Sequence, residues 1–301
     1  MLVGYTGFVG SNIAAAGDFK YLINSKNREE AFGKKPKLLI YAGLRAEKFL
    51  ANNDPKADLA NIEEAFEQIK RIDPERLVLI STVDVYKEPV GVDENTPIDV
   101  NGLAAYGLNR YHLEELVRET YPDALIVRLP GLFGRNLKKN FIYDYIHVIP
   151  SMLKEDKYKE LSLKSLLVAD SYEPLGNGFY KCIAPTDRLK KEFKSLGFSA
   201  LNFTDSRGVF QFYDLSRLWK DIRAALDAEI KLLNVATEPV SVGEIYKALC
   251  GGEFVNEIAA RPPYYDYRSA HAGLYGGKDG YFYGKDEVLE QICAYVKEQT
   301  R

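Results

Sequence analysis

Short, nearly continuous apolar runs alternate with stretches in which apolar residues recur every three or four positions, and this alternation fills the first half of the chain. The runs from Lys37 to Ala42, Arg76 to Ser81 and Ala124 to Leu129 have the length and composition of strands buried on both faces, as a parallel sheet requires. Between the first two, Leu59, Ile62, Phe66 and Ile69 fall on one helical face, and Asn53-Asp54-Pro55 supplies a capping residue and a helix-starting proline. A further helix is predicted from Gly102 to Thr120. The run ending at Leu129 meets Pro130-Gly131, where a strand hands over to a loop. Beyond Gly134 the alternation dissolves into a Lys- and Tyr-rich region as far as Phe203, then resumes from Val209 to Val235. The chain is therefore predicted to leave the sheet and return to it. The stretch from Arg261 to Arg268, followed by Tyr275, Tyr281, Phe282 and Tyr283 among glycines, reads as ordered loop.

The predicted class is α/β: a doubly wound parallel sheet formed by 1–134 plus 203–236, with a smaller α+β lobe assembled from the separated segments 135–202 and 237–301. A chain of 301 residues is long enough to bury such a core. Its 40 Lys and Arg against 43 Asp and Glu leave no basic surplus for a nucleic acid or an anionic membrane, so a small-molecule partner is expected. Cys182, Cys250 and Cys293 lie far apart without the spacing of a zinc site or a disulfide framework. Neither do His112, His147 and His271 form a metal-binding spacing, and no metal is expected. No apolar run approaches the ~18 residues of a membrane span, and the start shows no signal-peptide pattern, which leads to the expectation of a cytoplasmic protein.

The candidate chemistry begins at Gly4-Tyr5-Thr6-Gly7-Phe8-Val9-Gly10, where glycines recur every third residue between a short strand and a helix. Glycine lets a bulky ligand touch the backbone, and a helix N-terminus offers unpaired N–H groups to a pyrophosphate. Well downstream stand Ser81-Thr82-Val83-Asp84-Val85-Tyr86 and Tyr106-Gly107-Leu108-Asn109-Arg110. Together these segments resemble the extended short-chain dehydrogenase/reductases, the NAD(P)-dependent epimerase/dehydratase group acting on nucleotide sugars. The GxxGxxG turn matches Gly4, Gly7 and Gly10, and Thr82 falls where that family holds its catalytic Ser or Thr. Tyr106 matches the tyrosine of YxxxK, while the lysine position holds Arg110. Softer likenesses follow in the right order: Tyr41-Ala42-Gly43 at a strand end beside the cofactor, Asn61 on the next helix, and Leu129 through Gly131 and Leu132 in a loop closing over the nicotinamide.

The resemblance implies a Rossmann domain and an oxidoreductase, epimerase or dehydratase in which Thr82, Tyr106 and Arg110 are catalytic. It implies a cofactor held by Gly4, Thr6, Gly7, Phe8, Val9, Gly10, Asn24, Ser25, Tyr41, Ala42, Gly43, Asn61, Ser81, Tyr106, Arg110, Leu129, Gly131 and Leu132, and substrate contacts from Asp84, Arg135, Asn140 and Arg261. A homodimer through the helices around Leu59–Ile69 and Tyr106–Val117 also follows from it. About 20 residues past the first glycine a carboxylate would bind the ribose of NAD. Asn24 stands there, with Ser25, Lys26 and Arg28, a set that tilts the expectation from NAD toward NADP. Arginine is not a conservative replacement for lysine, so Arg110 keeps open a second reading, a dinucleotide-binding sensor without turnover.

Overall fold

The computed structural model describes residues 1–300. In chain order its elements are β1 (Leu2–Val3), α1 (Phe8–Ala16), β2 (Leu22–Ile23), β3 (Leu39–Tyr41), α2 (Lys48–Asn53), α3 (Pro55–Ile72), β4 (Leu77–Thr82), α4 (Ala105–Thr120), β5 (Leu125–Leu129) and β6 (Gly131–Phe133). Next come α5 (Phe141–His147), β7 (Met152–Lys154), α6 (Glu155–Ser162), α7 (Leu166–Asp170), β8 (Tyr172–Pro174), β9 (Phe179–Cys182) and α8 (Asp187–Ser195). The chain ends with β10 (Val209–Phe210), β11 (Phe212–Asp214), α9 (Leu218–Asp227), β12 (Leu232–Asn234), β13 (Val240–Ser241), α10 (Val242–Cys250) and α11 (Lys285–Gln299). Two compact units result: one from 1–137, 209–240 and 264–291, the other from 138–208, 241–263 and the chain from 292 on.

The first unit is a six-stranded sheet in the order β12-β5-β4-β3-β1-β2, every pair parallel. Successive residues of a strand point to opposite faces, and here both faces are apolar. Leu2, Ile40, Val78, Ile80 and Val127 pack on one side with Ile13 of α1 and Leu218, Ile222 and Ala225 of α9. Val3, Leu39, Tyr41, Leu77, Leu79 and Ile126 pack on the other with Ile62, Phe66 and Ile69 of α3 and Leu113 and Val117 of α4. The helix α3 starts as its sequence dictates, with Pro55 in the first turn and Asp54 accepting the Ala57 N–H at 3.1 Å. The short helix α2 ahead of it, and a single 3-10 turn at Arg28–Ala31 between β2 and β3, were not foreseen. Because that connection is so short, only β2 lies beyond β1 at that edge.

The division differs from the expected one at several places: 203–208 falls in the second unit, and 135–137 and 237–240 in the first. The segment 264–291 belongs to the sheet-bearing unit, not to the lobe expected from 237–301. Burial of its aromatic residues is the cause: Tyr267 is fully buried, donating its hydroxyl to the Val235 carbonyl at 2.7 Å, and Phe282 joins the core beside Leu2 and Ile13.

In the second unit β7, β9 and β8 form an antiparallel sheet, and Leu153, Leu161, Val168, Tyr172, Leu189 and Phe193 make a core of its own. Among the described residues no helix is long and apolar enough to cross a membrane.

A buried ion pair ties α4 to the sheet of the first unit. Glu114 of α4 is fully buried and accepts from Arg128 of β5 through Nε at 3.0 Å and Nη2 at 2.6 Å, and from Ser81 of β4 through Oγ at 2.6 Å. Arg128 Nη1 goes on to the Tyr86 hydroxyl at 2.8 Å, which also accepts from Asn234 of β12 at 3.0 Å. Glu114→Leu would strand the Arg128 charge and should lower stability by about 3–5 kcal/mol in urea unfolding. A loss under ~1 kcal/mol, the range of an exposed pair, would show that the pair is solvated.

In the second unit burial alone pushes the Asp144 carboxyl up to about 7. Its native value lies above the unfolded one of about 4, so the unfolded chain sheds that proton first and stability falls as pH rises between those values. Asp144→Asn should therefore gain melting temperature over wild type at about pH 8 and not at about pH 4. Equal differences at both would place the carboxyl in water.

Candidate functional site

The chain runs from β1 outward to β2, then returns to the other side of β1 as β3. At such a reversal the helices diverge and leave a crevice beyond the carboxyl ends of the strands. Gly4 and Gly43 follow β1 and β3 there. Gly4 adopts φ 86°, and a side chain on it would stand 2.3 Å from the Ala42 carbonyl oxygen. One on Gly10 would stand 2.1 Å from the Gly4 carbonyl. Both glycines are thus demanded by the packing of strand end on helix. Gly7 differs: it is exposed, with φ −77°, and a Cβ would meet only the Gly4 carbonyl oxygen at 3.2 Å. It is the N-cap of α1, whose first turn has no side-chain cap and no acidic residue. The amides of Phe8 and Val9 therefore head a positive helix end that an anion can approach across Thr6 and Gly7.

At the end of β4, Thr82 Oγ1 accepts the Asp84 N–H at 3.2 Å and turns the chain toward α4. A side chain at Gly107 would lie 2.0 Å from the Asp84 carbonyl oxygen, so only glycine lets α4 pack this closely. Asn52 of α2 caps the same helix, accepting the Tyr106 N–H at 2.9 Å. This packing brings the Tyr106 phenol close enough to Thr82 for that hydroxyl to favour the phenolate. Burial pushes the Tyr106 phenol up, Arg110 opposes the rise, and Asp84 adds to it.

Arg110 occupies a clamp. Its guanidinium pairs with Asp58 of α3, donates to the Arg45 carbonyl at 2.8 Å, and lies over the Tyr106 ring 4.1 Å from the centroid. Asn109 Nδ2 also donates to Asp58 at 2.8 Å. Arg110 was expected in the catalytic and cofactor sites; here its fork spans a buried carboxylate and a carbonyl, a pairing that serves the fold. Close by, Lys48 Nζ donates to Asp84 Oδ1 at 2.9 Å, and the Tyr265 hydroxyl reaches the same oxygen at 3.0 Å.

Other expected residues are placed as follows. Tyr41 is buried on the α3 face of the sheet with its hydroxyl on Gln68, and Leu129 is buried on the opposite face; for these two the strand position was right but the side chain belongs to the core. Ser81 is turned inward to Glu114. Asn61 is exposed and donates back to the Ala57 carbonyl of its own helix. Asn24 accepts the Lys26 N–H and donates to the Tyr5 hydroxyl, which shapes the turn carrying the exposed Ser25. Ala42 and Leu132 are partly buried against the core, and Gly131 is exposed beside the Gln211 carbonyl. The loop at Arg135 is fixed to α1 by Asn12, which donates to the Arg135 carbonyl at 2.8 Å and accepts its N–H at 3.1 Å. In the second unit Asn140 caps α5, accepting the Tyr143 N–H, and Arg261 is exposed.

Sequence reasoning missed Lys48, Asn52, Asp58 and Tyr265. All lie outside the motif segments, and no spacing along the chain ties them to the segments they meet.

No family model and no curated protein matches this sequence. Solved structures do match over nearly the whole chain. A dTDP-4-dehydrorhamnose reductase from Yersinia enterocolitica is 13% identical with a TM-score of 0.64, covering 100% of this chain and 98% of that one. RMD from Pseudomonas aeruginosa, complexed with NADPH, is 14% identical with a TM-score of 0.64 over 99% and 98%. The enzyme WbmG of Bordetella bronchiseptica, in complex with NAD and UDP, is 14% identical with a TM-score of 0.61 over 99% and 94%. The fold of this chain is the Rossmann-like fold of those proteins.

The clamp yields a test. Arg110→Met leaves Asp58 with only Asn109 and should cost about 3 kcal/mol in urea unfolding, with Arg110→Lys between it and wild type. Wild-type stability in Arg110→Met would remove the clamp from the fold.

Proposed function

We propose that this chain binds NADP or NAD at the Gly4–Gly10 turn and acts on a nucleotide sugar by hydride transfer at a sugar carbon, as an epimerase, dehydratase or reductase. The observation that carries the reading is the approach of Tyr106 to Thr82 at the carboxyl end of β4, in the same sheet whose carboxyl edge bears the uncapped first turn of α1. The likeness in fold to structures solved with NADPH, or with NAD and UDP, supports it. The donor set suits such a cofactor: the amides of Phe8 and Val9 for the pyrophosphate, and Ser25 with Lys26, not a carboxylate, after β2 for a 2′-phosphate. The bound nicotinamide would supply or accept the hydride.

The chain's own residues then handle the proton. Tyr106 exchanges a proton with the reacting hydroxyl, and Thr82 holds that oxygen in place as its charge changes. Arg135, exposed on the loop fixed by Asn12, is the donor proposed for the substrate's phosphates. The homodimer through α3 and α4 belongs to the same reading.

A second reading, a dinucleotide sensor without turnover, is favoured by one observation: Arg110 is engaged by Asp58 while burial holds Tyr106 protonated. Two variants separate the readings. Gly7→Val meets the Gly4 carbonyl oxygen at 3.2 Å, so it should fold after a small shift and melt somewhat below wild type, yet lose cofactor affinity by about tenfold or more. Unchanged affinity in the folded variant would take the turn out of the site. With the nucleotide sugar that best stabilises the cofactor complex, Tyr106→Phe should lose about 10²–10⁴ in turnover and keep its cofactor affinity. Equal turnover in the two proteins would end the assignment of Tyr106, and cofactor binding with no turnover of any nucleotide sugar by wild type would favour the sensor.

A further inference from the structure

The second unit holds a cavity that the proposed chemistry does not use. Its volume is about 870 Å³, within the usual range of small-molecule sites, and every residue of its wall belongs to this unit. The wall comes from the end of α5, from α8 and the segment after it, from α10, and from α11 beyond residue 291. Most of it is apolar, with Ile146, Val148, Phe198, Leu201, Leu249 and Val296 facing the space. Tyr145 and Tyr246 add two rings that meet edge to face, their centroids 5.8 Å apart. One part of the wall is strained. Val148 is buried with φ 67°, and across it the Ile149 N–H donates to the His147 carbonyl at 2.7 Å, a tight turn that a β-branched residue rarely adopts. The Ala200 N–H, donating to the Val148 carbonyl at 2.8 Å, holds the turn in place.

The charges on the wall are of one sign. Lys190, Lys194 and Lys297 line the cavity, and among the described residues no aspartate, glutamate or arginine does. The three lysines are not equivalent. Lys190 is half-buried and serves the fold, its Nζ donating to the Ile146 carbonyl at 2.6 Å where α5 ends. Lys194 and Lys297 are exposed, and among the described residues neither has an ion-pair partner. A lysine in such a place lays its stem along apolar surface and keeps its ammonium in water, so a basic edge borders an apolar interior. The rest of the polar lining is hydroxyl and thiol, from Ser199, Thr300, Cys293 and the two tyrosines. No side-chain amide or carboxylate is there to read the edge of a base or the hydroxyls of a sugar. The chemistry that complements this wall is an apolar body ending in an anion.

We propose that this cavity is a binding site for a free, monomeric amphipathic carboxylate. Its hydrocarbon part lies against the apolar wall, and its carboxylate is drawn to the ammonium groups of Lys194 and Lys297, which no carboxylate of the unit neutralises. The site lies wholly within the second unit, so its assignment does not depend on the cofactor turn or on Tyr106.

Equilibrium dialysis of the full chain against radiolabelled alkanoates tests both halves of the site. From octanoate through decanoate to dodecanoate, affinity should rise about two- to fourfold for each methylene that leaves water. 1-Decanol, which keeps the chain and lacks the charge, should bind about tenfold or more weakly than decanoate. Lys194→Glu/Lys297→Glu changes two exposed positions, should melt near wild type, and should weaken decanoate binding by about tenfold or more. Lys194→Gln/Lys297→Gln, which should weaken it by about threefold or more, keeps the test decisive if the charge reversal prevents folding. The same net change made at the exposed Lys56 and Lys220 of the first unit should leave the affinity within about twofold. Equal affinity for octanoate and dodecanoate would mean an anion on surface lysines and would overturn the proposal. So would binding that survives both Lys194/Lys297 variants, binding lost equally through Lys56 and Lys220, or no binding of dodecanoate up to about 1 mM. Tighter retention of ATP than of dodecanoate would make the cavity a nucleotide site and overturn it as well.

Discussion

The placement of α4 on the sheet depends on one buried carboxylate. Glu114 gathers a hydroxyl from β4 and a guanidinium from β5, and through Arg128 and Tyr86 the same network reaches β12. A charge without water must be matched, and here Arg118 of the same helix supplies part of the match while Arg128 and Ser81 supply the rest from strands on which the helix lies. That requirement sets the height and rotation of α4, and Tyr106 stands two turns nearer its N-terminus on a helix so fixed. Glycine at 107 completes the constraint from the other end, since any side chain there would strike the Asp84 carbonyl. Tyr106 meets Thr82 because both ends of the contact are determined.

Around that pair the charges are sorted into two layers. Arg110 and Asp58 form an inner layer, with side chains 5% and 11% exposed, joining α4 to α3. Lys48, Asp84 and Tyr265 form an outer one, partly open to solvent, where water and a polar ligand can reach. The division has a physical basis. A guanidinium satisfies a carboxylate and a carbonyl at once in a fixed fork, which suits a dry joint, whereas an ammonium is a compact, hydrated charge on a flexible stem, which suits an opening.

The glycine turn shows a similar split between framework and access. Gly4 and Gly10 are fixed by contacts with backbone that leave no space for a Cβ, so they would be required whether or not anything binds. Gly7 has one tight neighbour, the Gly4 carbonyl oxygen at 3.2 Å, and an exposed position at the head of α1, so its missing side chain also keeps clear the approach to the helix end.

What the sequence determined by itself was what is written locally: the continuous apolar runs of β3, β4 and β5, the period-3.6 pattern of α3, the proline and aspartate that start α3, and the segments carrying Gly7, Thr82 and Tyr106. These were legible because each reflects forces acting within a few residues. Tertiary structure alone decided the rest. Tyr41, Ser81 and Leu129 stand on the expected strands, but which face each side chain meets depends on helices distant in sequence, and that turned all three inward. The segment 264–291 joined the sheet-bearing unit because its tyrosines and Phe282 found a core there, a matter of burial that loop-like composition does not reveal. The partners of Arg110 and the approach of Lys48 to Asp84 join residues 52 and 36 positions apart. No pattern along the chain records such pairings, because an ion pair depends on distance in space and on the water excluded around it, and both exist only once the chain has folded.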